Sequence, residues 1–307
     1  MIRPDPIRAI RKQVDRGGRT SVYALLVLQQ ILSSGTHIVA KVITRTMDPA
    51  ALTLVRSVLS MILMVIVLFI SGRFPRIARE DRSLVLWLSF LAIPVNQFFF
   101  LFGMRYTIPS NAALLYATTP VLVLLFSWIF LGEKLTGMKV AGMAIAFIGV
   151  MVVIFERGFQ ASMDYLAGNL LLAVAVVAWG LYSVFGKRLI EKYGAIQATS
   201  MTLIIGTFMF LPIGIIPAIN FPYETLTRGN WMEIGYLAAI TSVFSYFLWY
   251  FAIGEIEAGK VALFTYLQPV LTSILTVLLL GQQITTAFLI GGVLALIGVI
   301  VAQFSRS

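Results

Sequence analysis

The sequence predicts an all-α membrane protein of ten transmembrane helices, arranged as two inverted five-helix repeats. Three observations predict it. The 307 residues are 59% hydrophobic and 12% charged, with a mean hydropathy of +0.94, and a water-soluble chain of this length could not hide so much apolar surface. The chain also repeats itself: residues 98–152 align without a gap on residues 247–301, 149 positions on. Lys and Arg, finally, fall mostly on one side of the predicted membrane, 17 against 5, with Arg56 left inside a span. That bias places both termini in the cytosol. Five spans per half is an odd number, so the second half enters from the opposite face, and the halves are related by a pseudo-two-fold axis in the membrane plane.

A bilayer core needs roughly 20 apolar residues per helix. Ten such stretches run at about 21–42, 50–72, 83–104, 110–131, 136–154, 167–188, 195–218, 230–252, 259–280 and 285–304. Residues 1–20 form a basic, polar cytosolic leader without the apolar core of a signal peptide. Spans one to five (21–154) make the first repeat and spans six to ten (167–304) the second. Asp48-Pro49, Ser71-Gly72-Arg73, Ile108-Pro109-Ser110 and Leu131-Gly132-Glu133 stop or start helices. Cysteine is absent, which excludes disulfides and thiolate metal sites. The basic residues lie in short loops between apolar runs, where they orient helices rather than bind nucleic acid.

The two copies share a pattern. The first reads Pro120-Val121, Leu131-Gly132-Glu133-Lys134-Leu135, Gly142, Ile148-Gly149-Val150; the second reads Pro269-Val270, Leu280-Gly281-Gln282-Gln283-Ile284, Gly291, Ile297-Gly298-Val299. Upstream, Lys41 falls on Lys187 and Thr53 on Thr199, and half two carries Trp179-Gly180 where half one has Ser33-Ser34. This pattern resembles the EamA-type signature of the drug/metabolite transporter superfamily, over nearly the whole chain after residue 20. The resemblance implies a ten-helix secondary transporter similar to bacterial amino-acid and metabolite exporters; export as a direction comes from it alone. Arg56 stands where that family often has an arginine, and Gln282 replaces the usual Glu.

The residues narrow the chemistry. Glycine after a helix end supplies a left-handed cap, so Glu133 is expected at the positive end of the following helix. Gly142, Gly149, Gly291, Gly292 and Gly298 mark close packing faces on spans five and ten, which are expected to act as scaffold or as a dimer face. Pro94, Pro120, Pro212 and Pro269 lie within spans, and the repeated pair Pro120 and Pro269 are candidate gating hinges. No Asp or Glu lies deep in any span, which disfavours cation–proton antiport and favours neutral or zwitterionic cargo. The ionisable residues inside the membrane are His37 and Arg56, at similar depth in spans one and two; their repeat mates are Ser183 and Thr202.

The expected substrate-binding residues are His37, Arg56, Asn96, Gln97, Tyr116, Trp179, Tyr182, Ser245, Tyr246, Trp249, Tyr266 and Gln268. They sit on spans one, two, three, four, six, eight and nine, and spans five and ten should stand at the periphery. Amides in hydrocarbon need partners or a wet cavity, and an arginine suits a carboxylate. The expected cargo is therefore a small metabolite, most of all an aromatic or apolar amino acid, moved by alternating access across a cell (inner or plasma) membrane. Multidrug efflux, or efflux of a nucleobase- or sugar-like metabolite, is the alternative. A pore would need a ring of repeated charges. An enzyme would need a nucleophile–base or metal cluster, and one His with no Cys supplies neither. No cofactor is expected, and the partners are the bilayer and the small molecule, with the chain a monomer or a homodimer.

Overall fold

The computed structural model describes residues 19–72, 74–156, 163–268, 270–271 and 286–304. Among these residues there is no strand. The helices are α1 (Thr20–Thr46), α2 (Pro49–Ser71), α3 (Arg79–Tyr106), α4 (Asn111–Leu131), α5 (Gly137–Glu156), α6 (Met163–Tyr193), α7 (Ala195–Ile219), α8 (Arg228–Glu255), α9 (Ala258–Leu263, continued by a 3₁₀ turn at Phe264–Tyr266) and α10 (Thr286–Gln303). They follow the predicted order span for span. Seven are 21 to 31 residues long and apolar enough to cross a bilayer; α5 and α10 carry shorter apolar stretches, Gly137–Val152 and Leu289–Gln303. Pro269, Gly281, Gln282 and the leader lie outside the described residues.

Local chemistry sets the ends. Pro49 opens α2, and the Asp48 carboxylate accepts from the backbone N–H groups of Ala50 (2.8 Å) and Ala51 (3.2 Å), which satisfies orphan donors of the first turn. Thr227 and Asn230 form a reciprocal capping box at the start of α8. Gly132 ends α4 with φ +67°, the left-handed cap expected of it. The outer surface is apolar: Phe69, Ile70, Ile216 and Ile219 are all more than 60% exposed, as lipid contact requires.

The two-fold relation is written in individual contacts. Helices α5 and α10 run antiparallel. A Cβ on Gly142 would lie 2.6 Å from the Gly298 carbonyl oxygen, and one on Gly149 would lie 2.6 Å from the backbone N of Ala295, beside Gly291. Gly142 and Gly291 are repeat mates, as are Gly149 and Gly298. Each glycine thus meets the mate of the other, the mark of a two-fold contact. The same holds elsewhere. Ser60 on α2 donates to the Ala238 carbonyl on α8, while its mate Gly206 on α7 abuts the Ser89 carbonyl on α3, the mate of residue 238. The glycine faces therefore close on each other within the chain. They are not free as a dimer face, because only hydrogen at these positions admits the opposing backbone.

Helices α1, α3, α4 and α8 depart from regular α geometry within their spans. Helix α1 breaks after Ser33 and restarts at Thr36. The Tyr236 hydroxyl donates to the Leu32 carbonyl at the break (2.6 Å). Helices α3 and α8 widen into π turns at Leu91–Gln97 and Tyr236–Phe244. The two π turns overlap under the repeat. Pro94 lies inside the first, so the predicted distortion takes the form of a wider turn. Pro120 sits at the restart of α4 after a break at 117–118. Pro212 is carried within a continuous α7.

Candidate functional site

The irregular turns surround one cavity between the halves. Its volume is about 100 Å³. Helix α1 contributes Gln29, Gln30, Ser33, Thr36 and His37; α2, Arg56; α3, Asn96, Gln97 and Phe100; α4, Tyr116. From the second half come Trp179 on α6, Thr241, Ser245, Tyr246 and Trp249 on α8, and Thr265 and Gln268 on α9. Among the described residues, α5 and α10 contribute none.

Arg56 is the cavity's only permanently charged lining residue among those described, and it is 3% exposed. Its Nε donates to the Ser242 hydroxyl (2.8 Å) and the Leu237 carbonyl (3.1 Å), and its Nη2 to the Thr241 hydroxyl (2.9 Å). The π turn of α8 explains the site: a wider turn leaves a carbonyl available for outside donors. These bonds hold the guanidinium in one orientation and occupy two of its three nitrogens. Nη1 has no partner. Asp48 is engaged in capping α2, and among the described residues no carboxylate pairs with Arg56.

Nearby, His37 is held edge-on between the rings of Phe100 (5.8 Å) and Tyr116 (5.3 Å), and its Nε2 makes no hydrogen bond. Asn96 spans the halves: its amide N donates to the Ala175 carbonyl (2.8 Å), and its amide O accepts from the Tyr246 hydroxyl (3.0 Å). Gln97, 1% exposed, has neither amide atom hydrogen-bonded. Ser245, the repeat mate of Asn96, bonds to Ser33 on α1 (3.0 Å). Gln268 donates to the Ser33 carbonyl at the α1 break (2.9 Å).

The second half adds aromatic lining. The Trp179 ring lies 4.8 Å from Tyr246 and 5.5 Å from Trp249, centroid to centroid. The Trp249 indole N–H donates to Ser183 (2.9 Å), so the mate of His37 serves as an anchor for a ring. The lining thus combines Arg56, His37 and amides with aromatic rings from both halves.

Two expected residues do not line it. Tyr182 is fully buried behind Trp179, stacked on Tyr250 at 4.7 Å and sharing a hydrogen bond with Thr202 (2.9 Å). Tyr266 is fully buried and turned toward Phe147 of α5. Both face a neighbouring helix because the cavity occupies the other side of their own. Sequence reasoning in turn missed Gln29, Gln30, Ser33, Thr36, Phe100 and Thr241. The Gln29-Gln30 pair carried a readable signal, since consecutive amides in an apolar span are as costly as Asn96-Gln97.

Below the cavity, on the face where α1 begins and α10 ends, a second polar cluster joins the halves. Glu133 accepts from the backbone N–H groups of Ala258 (2.9 Å) and Gly259 (3.2 Å) and pairs with Lys187 (3.0 Å). It caps α9 of the other half, not the helix that follows it, because the α4 end abuts the start of α9. Lys139 on α5 is fully buried against Glu257 at 2.5 Å. Lys41, the mate of Lys187, donates to the Met104 and Thr107 carbonyls at the end of α3.

Lipid-facing helices around a polar cavity, with two-fold related halves, define a multi-pass membrane transporter. The chain belongs to the EamA-like transporter family, whose pattern it matches twice, over residues 20–155 and 166–304. It is 28% identical over 286 residues to the uncharacterized transporter YyaM of Bacillus subtilis, covering 92% of this chain and 93% of that one. It is 27% identical over 285 residues to an uncharacterized transporter of Archaeoglobus fulgidus (91% and 96%). A probable terminal-alkyne amino-acid exporter of Streptantibioticus cattleyicolor shares 26% identity over 190 residues, 62% of each chain. A solved crystal structure superposes with a TM-score of 0.77 at 20% identity, over 93% of this chain and 98% of the other, and so shares the fold.

Proposed function

We propose that this transporter exports small amphipathic metabolites, aromatic or apolar amino acids foremost, by alternating access across a plasma (inner) membrane with both termini cytosolic. The observation that carries the reading is the unpartnered, buried Arg56 Nη1 in a cavity also lined by aromatic rings. An arginine fork held by two nitrogens can offer the third to a carboxylate, and the rings accept an apolar side chain. The same twelve residues named from the sequence divide accordingly: ten contact the cargo, while Tyr182 and Tyr266 support the walls. Pro120 and Pro269 are the hinges about which α4 and α9 bend. The amino-acid exporter among the relatives supports the cargo class, and the 17 to 5 distribution of basic residues supports the orientation.

The test is efflux of labelled amino acids from cells expressing the wild type, Arg56→Lys or Arg56→Gln at matched levels. Faster efflux of an aromatic or branched amino acid is expected with the wild type and lost with Arg56→Gln. Arg56→Lys keeps the charge but loses the fork and should be intermediate. Unchanged efflux across a full amino-acid panel, with the protein present in the membrane, would overturn the reading. A cytosol-only fluorescent reporter fused after Ser307 should be bright; a dark reporter would reverse the orientation.

A further inference from the structure

The cavity answers only one of the two charges of an amino acid. Arg56 is buried with uncharged partners: a carbonyl and two hydroxyls. Its third nitrogen is unpartnered, so a ligand carboxylate would supply the missing counter-charge. An ammonium group has no equivalent reception. Among the described residues no Asp or Glu lines the cavity, and beyond Glu257 the sequence contains no acidic residue at all. The acceptors that remain are uncharged: the Gln97 amide oxygen, His37 Nε2 and the faces of rings such as Trp179, Tyr246 and Trp249. Asn96 Oδ1 is taken by Tyr246, and Gln29 Oε1 by Gln30.

We propose that the site selects for the carboxylate and the apolar group, not for the amine, so that aromatic or apolar carboxylates lacking a free amine are substrates as good as the corresponding amino acids. This rests on the reading of Arg56 as the carboxylate anchor. The physical basis is charge balance. A monoanion makes the Arg56 cavity neutral on binding, whereas a zwitterion brings a second cation into a space of low dielectric, held only by dipoles and rings. Specificity then comes from an anchored anion and an aromatic wall, which also admits amino acids whose amine is masked by acylation.

The experiment is ligand binding to the purified full-length protein in detergent, read by thermal stabilisation, with three probes. L-phenylalanine carries both charges, 3-phenylpropanoate only the anion, and L-phenylalaninamide only the cation. The expected result is that 3-phenylpropanoate binds as tightly as phenylalanine or tighter, with the amide at least tenfold weaker than either. Gln97→Glu, which introduces the missing counter-charge, should lower 3-phenylpropanoate affinity at least tenfold while sparing or improving the amide. If phenylalanine binds at least tenfold tighter than 3-phenylpropanoate, the ammonium is recognised and the inference falls, with the amino-acid reading intact. If the amide binds best, or if none of the three stabilises a protein that melts cooperatively, both fall. Counterflow of labelled 3-phenylpropanoate in phosphatidylethanolamine–phosphatidylglycerol vesicles should follow the same ranking; binding without counterflow would make it an inhibitor and overturn its place as a substrate.

Discussion

Arg56 is aimed by residues that carry no charge. Ser242 and Thr241 hold its Nε and Nη2, and hydrogen bonds to charged groups contribute about 1.5–3 kcal/mol each. Ser242→Val should leave the guanidinium in place but free to turn. The expected outcome is a KM for carboxylate cargo raised about tenfold or more, with expression little changed, measured by concentration-dependent efflux. Glu133 is the second residue on which much depends, with one carboxylate serving two backbone donors and Lys187. Glu133→Gln keeps the shape but removes the charge, and should cost about 1–3 kcal/mol of stability, read as a lower melting temperature in detergent. Arg56 and Glu133 were both visible in the sequence, one by the expense of a charge in an apolar span and the other by its turn. Their partners were not. Leu237 is an apolar residue whose usefulness lies in its carbonyl, and Ala258 is contacted through its N–H. Neither property appears in a side-chain alphabet.

Among the elements, the helix count and order were legible because each span is long, apolar and punctuated. The π turn of α3 had a marker in Pro94. That of α8 had none, since Tyr236–Phe244 contains no proline and owes its geometry to the arginine and serines packed on it. Which side of α6 and α9 faces the cavity was also hidden, because both helices are studded with rings on more than one side; this is why Tyr182 and Tyr266 were misplaced. The α5–α10 pair provides the sharpest test of an element. Gly142→Leu would drive a side chain into the backbone of α10, and the variant should be lost from the monodisperse peak on size-exclusion chromatography. Gly137→Ala, where an added Cβ meets nothing within 4 Å, should elute as the wild type.

For the whole molecule, the proposed alternating access would require the halves to part at the face where α1 begins and α10 ends. There the bonds between halves include Glu133 to α9 and to Lys187, Lys139 to Glu257, and Asp81 to Lys192 and Tyr193. The chain contains no native cysteine, so Lys139→Cys with Glu257→Cys creates the only two thiols. Bridging them with a short bismaleimide should stop transport while leaving binding from the other face measurable; transport that persists at full crosslinking would show that this face need not open. The seam of α5 and α10 carries a longer consequence. A contact in which each glycine meets the mate of the other is one that a single half could make with an inverted copy of itself. The seam of the intact chain therefore has the geometry of an antiparallel pair of identical helices. Arg56 and His37 stand on one side of the axis and their mates Thr202 and Ser183 on the other, so a symmetric frame surrounds a cavity whose lining is not symmetric.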